Sequence, residues 1–478
     1  MASAPRYDLI TFGGGLAGLV TAARAAQLGL RVAVLEKATE DKYLCSSRYG
    51  TGVIVAMGRS ILSDPDDIAA AIMAATDGTA RPELARMLAS NARRAAEWLR
   101  GEGAQLAEED TSTGRNIVLL PRRRFKEGLD WEGKALDLLL GRLEQNIRDR
   151  GGAMLRGTEV KSLLMADGAC VGVRAIGAGQ AAEFRSDAVV IADGGYQANP
   201  EILRRLLFEK PDRVLLRAAT LGGMGDGIVM AEDAGAATGG FGAFYGHIHH
   251  RDAMDNGRLW PYPHFDAVAA VSVLVDRHGH RFTDEGLGGV CMANAIAKLD
   301  DPLSTFVVFD DAIWNGTPGR ALPVPVNPFL MEGRGWMHSA DTIDGLARLM
   351  AVPATSLRET IEGHNEAVSG GPLQNVQPRR TTAKHLPMAI AAPPYHAVPL
   401  CAGITLTMGG IHISERCQAL RSDGTPIRGL YVAGTPVAGL EGGPRAGYIG
   451  GLCKAITLGV VAAESAAATA GRSVTRDL

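Results

Sequence analysis

Apolar residues run almost unbroken from Tyr7 to Phe12 and stop at Gly13-Gly14-Gly15. Leu16–Leu30 then sets Ala and Leu at helical spacing, and Arg31–Leu35 is a β-branched run closed by Glu36. Short continuous apolar runs read as buried strands, and three- and four-residue spacing reads as helix. The start of the chain therefore predicts strand, glycine turn, helix and strand, a βαβ unit. Residues 67–103 and 132–150 predict amphipathic helices with Gly at their ends. Between Gly157 and Gly195 the pattern changes to short strands at 159–165, 171–176, 183–185 and 188–192, and Gly222–Ala236 is a glycine-rich turn opening another helix.

Residues 237–300 break the rhythm. They gather His247, His249, His250, His264, Tyr245, Tyr262, Trp260 and Phe265 with several Asp, which suits a cleft lining better than a core. A strand is expected at Ala267–Asp276. Residues 340–370 return to amphipathic helix and residues 371–395 form a Pro-rich connector. Short strands follow from Tyr395, and an Ala/Gly-rich helix, Gly450–Ala470, closes the chain.

Composition narrows the class. With Lys+Arg 49 against Asp+Glu 52 the net charge is −3, which lacks the basic excess of a nucleic-acid partner. A 46% hydrophobic and 21% charged chain excludes wholesale disorder, and 478 residues suggest two or three domains' worth of core. Six cysteines (45, 170, 291, 401, 417, 453) contain no CxxC pair, which disfavours zinc, an iron–sulfur cluster or a disulfide framework. His247, His249 and His250 lack matching ligands at metal spacing, so no metal is expected. The apolar stretch Ala455–Ala470 is interrupted by Glu464 and is short for a bilayer span. No secretory leader is evident. The expectation is a soluble, cytoplasmic α/β protein. Gly 60 against 5% aromatics points to many tight backbone approaches.

Gly13-x-Gly15-x-x-Gly18 lies after a strand and opens a helix, where a dinucleotide fingerprint must lie. Gly13 permits the turn, Gly15 lets a pyrophosphate approach the backbone, and Gly18 lets helix and strand pack closely. The helix N-terminus adds partial positive charge. Glu36 ends the second strand about 20 residues on, where a carboxylate meets ribose hydroxyls. Val189–Gly195 and Gly429–Gly434 are further strands ending in small-residue turns, and no second fingerprint follows. One cofactor therefore occupies one site assembled from both ends of the chain.

At this point the residues resemble the FAD-dependent flavoproteins of the fumarate reductase/succinate dehydrogenase group. The likeness is nearest to soluble tricarballylate dehydrogenase-like and ketosteroid dehydrogenase-like members. It is carried, in order, by Gly13–Gly18 with Glu36, by Gly225-Asp226-Gly227 through Ala236, and by Gly279-His280-Arg281-Phe282-Thr283-Asp284-Glu285. Thr407-Met408-Gly409-Gly410 and Gly429–Gly443 followed by Arg445 complete it. The resemblance implies an α/β fold: a Rossmann-like, glutathione reductase-type FAD-binding domain with an inserted α+β capping domain. The expected division is 1–236 and 393–478 for the FAD domain and 237–392 for the cap. Beside the fingerprint, it implies FAD contacts from Leu16, Ala17, Lys37, Ser46, Ser47, Gly50, Thr51, Gly52 and Val160. Further contacts are expected from Ala192, Asp193, Gly194, Gly225, Asp226, Gly434, Thr435 and Gly450.

The resemblance also implies an enzyme that moves a hydride between flavin N5 and a carbon beside a carbonyl or carboxylate, in either direction. Departures matter here. The proton-donor arginine of fumarate reductases falls on Gly289, one substrate-carboxylate histidine on Leu406, and the C-terminal histidine on Glu441. True fumarate reduction is therefore not expected, and a less charged substrate is favoured. Arg445 stands where an arginine clamps substrate, and Tyr448 lies in a loop like that from which ketosteroid dehydrogenases project a tyrosine. Tyr262 and His264 are candidate acid/base groups in the cap. Arg281 and Glu285 resemble a pair at the cap boundary, fold support and catalysis both open. No covalent-flavin histidine is found near Cys45–Gly52, so non-covalent FAD is expected, with a Cys45 thioether the lesser alternative. Arg122-Arg123-Arg124 with Lys126 reads as a solvated loop or a funnel for anionic substrate. The partners expected are a small-molecule substrate and an unidentified electron acceptor, without nucleic acid or a membrane span. The alternatives are a ketosteroid-dehydrogenase-like ketone desaturase and a flavoprotein subunit that only relays electrons.

Overall fold

The computed structural model describes residues 6–111, 114–123, 131–216, 222–259, 265–316, 336–382 and 385–474. Tyr262, His264, Arg124 and Lys126 lie outside them.

The apolar runs at the two ends of the chain meet in one sheet. Its parallel core has the order Pro426–Val432, Gln180–Ile191, Arg6–Phe12, Val32–Glu36, Ala153–Arg156. Leu9 pairs with Val32 and with Ala188, and Val189 with Leu430. Leu9, Ile10, Val34, Val189, Val190 and Leu430 are fully buried, because helices cover both faces of a parallel sheet. Two antiparallel strands, Thr158–Ala166 and Ala169–Gly177, extend from Gln180–Ile191. Gln180–Ile191 is one continuous strand where the residue pattern predicts two, 183–185 and 188–192.

The first helix, Leu16–Gln27, packs on the last, Gly451–Thr469. Gly459 permits the approach: a Cβ there would stand 2.8 Å from the Val20 side chain and 3.0 Å from the Ala17 carbonyl. Glu464, the one charge breaking the apolar tail, is buried against Arg24 and Arg94, each at 2.8 Å. Gly451–Thr469 is, among the described residues, the one helix long and apolar enough to cross a bilayer; most of it is buried inside the protein.

A second sheet is built around Tyr395–Thr407, which pairs with Phe244–His250, Thr305–Asp310, His338–Ala340 and Leu215–Leu216. Val273–Val275 adds beyond Thr305–Asp310. This moves one expected boundary. Tyr395–Thr407 belongs with the middle segment's sheet, and the chain rejoins the first sheet at Gln418–Leu420 instead of near 393. The expected strand Ala267–Asp276 is a short helix, Asp266–Val271, followed by Val273–Val275. Arg281 and Glu285 form a fully buried pair (2.5 Å), and the Glu285 carboxylate also accepts the Leu274 N–H at 3.0 Å. They brace this segment and do not border the cavity described next.

Candidate active site

The carboxyl ends of the parallel strands open into a cavity of about 1000 Å³. Gly13 makes the turn with φ +98°, and a Cβ there would lie 2.5 Å from the Ala192 carbonyl. At Gly18 a Cβ would meet the Gly13 carbonyl at 2.0 Å, so only glycine lets helix and strand approach this closely. The helix starts at Gly15 with no side-chain cap; Ser47 Oγ accepts the Leu16 N–H at 3.0 Å. The amide-rich turn and helix end face a cavity suited to a pyrophosphate.

Glu36 accepts the Gly14 N–H at 2.7 Å and the Ala38 N–H at 2.8 Å, which fixes its carboxylate at the strand end. Tyr43 donates to the Gly14 carbonyl at 2.6 Å, closing the loop over the turn. Arg48, buried against Asp137, donates to the Tyr43 carbonyl at 2.7 Å and so ties down Ser46–Tyr49. Lys37 pairs with Asp226 at 3.5 Å across the cavity rim.

All the expected cofactor residues border this cavity except Gly18, Gly52 and Gly225. Those three act through the backbone instead. Gly52 and Gly225 adopt φ +84° and +79°, and Gly225 starts the helix Asp226–Asp233. The cleft also takes in Phe12, Gly14, Tyr49, Glu159, Gln197 and Leu452, which pattern reading did not single out.

Asp193 lies in the cavity wall, its Oδ2 accepting the Gly227 N–H at 2.7 Å. Burial pushes its carboxyl up to about 7, with the Asp226 charge adding to the rise. The folded flavin-free protein thus retains this proton where the unfolded chain, with an ordinary value near 3.8, has lost it. Its stability should fall as pH rises from about 4 to 7. Thermal melts of flavin-free Asp193→Asn should show a shallower pH slope across that window; an unchanged slope would refute the assignment.

The far end of the cavity is lined by Tyr245, His247, Thr405, Leu406 and Tyr448. Tyr448 stacks on Tyr245 with ring centroids 3.8 Å apart and planes 19° apart. Its hydroxyl oxygen accepts the Gly451 N–H at 2.6 Å, leaving its own proton to donate. Burial, reinforced by the neighbouring Tyr245, raises the Tyr448 phenol well above its ordinary 10. Glu441 anchors the loop: it accepts the Ile449 N–H at 3.1 Å and pairs with buried Lys454 at 2.7 Å. It is a structural group here.

Arg445 is placed elsewhere. Its guanidinium forks onto Asp77 and the Ala74 carbonyl, and it is not among the side chains bordering the cavity. Of the four expected catalytic residues, the structure thus brings Tyr448 to the site and turns Arg445 away. Arg122 and Arg123 do border the cavity, paired with Glu109 at 2.8 Å and with the Tyr49 carbonyl at 2.6 Å.

The fold and cavity define a dinucleotide-binding flavoprotein. Residues 8–447 match the family described as FAD binding domain, and the chain belongs to it. Its cofactor is FAD. The NADH:fumarate oxidoreductase of Klebsiella pneumoniae (strain 342) is 28% identical over 463 residues, covering 93% of this chain and 46% of that protein. The 4-oxocyclohexanecarboxylate 2-dehydrogenase of Sinomonas cyclohexanicum is 28% identical over 370 residues, covering 69% and 62%. The chain thus spans less than two-thirds of either relative's length. In fold it is similar to the 3-ketosteroid delta1-dehydrogenase of Sterolibacterium denitrificans solved with 1,4-androstadiene-3,17-dione. That likeness has a TM-score of 0.73 at 20% identity and covers 97% of this chain and all of that one.

Proposed function

We propose that this protein desaturates, or in reverse reduces, the carbon–carbon bond beside a ketone carbonyl in a small organic substrate. Bound non-covalently in the cleft, FAD supplies the two-electron chemistry, taking up or giving back a hydride. The residues that would hold it are the Gly13–Ala17 turn and helix start, Glu36, Ser46–Thr51, Val160, Ala192–Gly194 and Gly434–Thr435. Burial raises the Cys45 thiol, which opposes the thiolate a covalent attachment needs.

The observation that carries the reading is the make-up of the far end of the cavity. A tyrosine with a strongly held proton stands there beside Leu406, which occupies the expected carboxylate-histidine position; the expected proton-donor position is Gly289, and Glu441 is spent on Lys454. A dicarboxylate would need cations at that end. A neutral carbonyl needs one good donor, which Tyr448 provides, and an apolar wall such as Leu406. As charge builds on the carbonyl oxygen, Tyr448 stabilises it. The stacked Tyr245 ring holds Tyr448 in place and excludes water. Arg122 and Arg123 on the same cavity favour a second reading, a ketone that also bears a carboxylate.

Anaerobic titration with saturated cyclic ketones, with and without a carboxylate, and with saturated dicarboxylates tests this. Ketones should bleach the flavin and succinate should leave it oxidised. Bleaching by succinate alone would overturn the proposal. Bleaching by no small molecule, only by a partner protein, would favour an electron-relay subunit.

A further inference from the structure

The strand Phe244–His250 carries a second chemical device. It has a register irregularity between Tyr245 and Gly246, and it presents both Tyr245 and His247 to the cavity. The Tyr245 hydroxyl lies 3.0 Å from His247 Nε2, with the rings edge to face. On the other side of the imidazole, Nδ1 lies 2.5 Å from Asp266 Oδ2. Asp266 is the first residue of the short helix Asp266–Val271, and its other oxygen accepts the Ile248 N–H at 3.1 Å. The carboxylate is thus fixed by backbone before it meets the histidine. Gly289 makes room for it, since any Cβ at 289 would stand 1.9 Å from Asp266 Oδ2.

The contact with Asp266 places one proton. A carboxylate accepts only, so Nδ1 carries the hydrogen; in the neutral ring that a base requires, Nε2 is then the acceptor and Tyr245 donates to it. Tyr448 is arranged in the opposite sense, with a proton to give and the Gly451 N–H on its oxygen. Two stacked tyrosines in one cavity are therefore set apart by their partners, one as donor and one backed by a base.

We propose that Asp266, His247 and Tyr245 form a proton relay that removes, and in reverse returns, the α-proton of the ketone. This rests on the ketone reading above. The α C–H bond breaks and its electron pair moves to the carbonyl oxygen, which Tyr448 stabilises. The proton goes to the Tyr245 oxygen as the Tyr245 proton passes to His247 Nε2, giving an imidazolium beside the Asp266 carboxylate. The hydride lost from the neighbouring carbon is the oxidation already assigned to FAD. Tyr245 is the catalytic residue; His247 and Asp266 position and charge it.

The test uses the FAD-loaded protein and two readouts. Nitrogen NMR of the histidine rings, with the His247 signals identified by their loss in His247→Gln, should show a neutral ring protonated on Nδ1. Asp266→Asn should abolish that tautomer's strongly hydrogen-bonded Nδ1–H signal. Deuterium exchange from D2O into the α-position of cyclohexanone should fall about 10²–10⁴-fold in Tyr245→Phe and His247→Gln with flavin content unchanged. A His247 ring protonated on Nε2 with bare Nδ1 would overturn the relay whatever the substrate. The expected tautomer, with no exchange even in the parent protein, would overturn the ketone reading and the relay's role in it.

Discussion

Replacing Tyr448 by phenylalanine should lower kcat/KM for the reacting ketone by about 10²–10³-fold, the usual cost of removing one donor from a developing oxyanion. The change deletes one oxygen and keeps the ring stacked on Tyr245 at 3.8 Å, so the cavity retains its shape. The Gly451 N–H loses its acceptor, which costs about 1–3 kcal/mol if no water replaces it, so Tm should drop modestly. FAD content should be unchanged, because no cofactor-turn residue is disturbed. The loss should fall on kcat more than on KM, since the bond strengthens as charge builds on the carbonyl oxygen. Stopped-flow flavin reduction measures this directly. A Tyr448→Phe protein that reduces its flavin at the parent rate would remove Tyr448 from the reaction.

The second large effect concerns the cofactor. In Gly18→Val the new Cβ would meet the Gly13 carbonyl at 2.0 Å and Thr11 Oγ1 at 3.2 Å. Backbone cannot step aside as a flexible side chain can, so the helix must shift away from the strand and drag the Gly13 turn with it. Overpacking of this kind costs about 1–3 kcal/mol. If that strain falls on the bound geometry, FAD affinity drops about 5–150-fold. The purified variant should be pale where the parent is yellow. Gly101→Ala is the matched control, because a Cβ there meets nothing within 4 Å. Full flavin content in Gly18→Val would show that the close approach is dispensable.

Much of the cofactor end was legible in the chain because its determinants are local. A run of apolar residues, three glycines at fixed spacing and a carboxylate at the next strand end specify a turn and a helix with little outside help. Glu36 and Asp193 occupy the cavity wall for this reason. What was hidden depends on distance. Arg445 was read as a substrate clamp, yet its guanidinium rests on Asp77, 368 positions earlier, a partner no local pattern announces. Tyr395–Thr407 looked like a return to the first sheet, because an apolar strand does not state which sheet will take it. The segment Asp266–Val275 misled for another reason. Asp-Ala-Val-Ala-Ala-Val has no period that separates strand from helix, and the Asp that seats His247 was hidden in it. Tyr245 and His247 were visible only as members of a cleft-lining segment; that they stand two apart on one strand with Asp266 behind the histidine needed the fold.

What the far end of the cavity accepts decides the reaction. The most direct measurement is anaerobic single turnover with the cyclic ketone that bleaches the flavin fastest, prepared with and without deuterium at the β-carbon. Succinate is run beside it. The visible flavin absorbance should be lost, more slowly with β-deuterium, giving the α,β-unsaturated ketone, and succinate should not react. Rapid reduction by succinate, with every cyclic ketone inert, would contradict the proposed reaction.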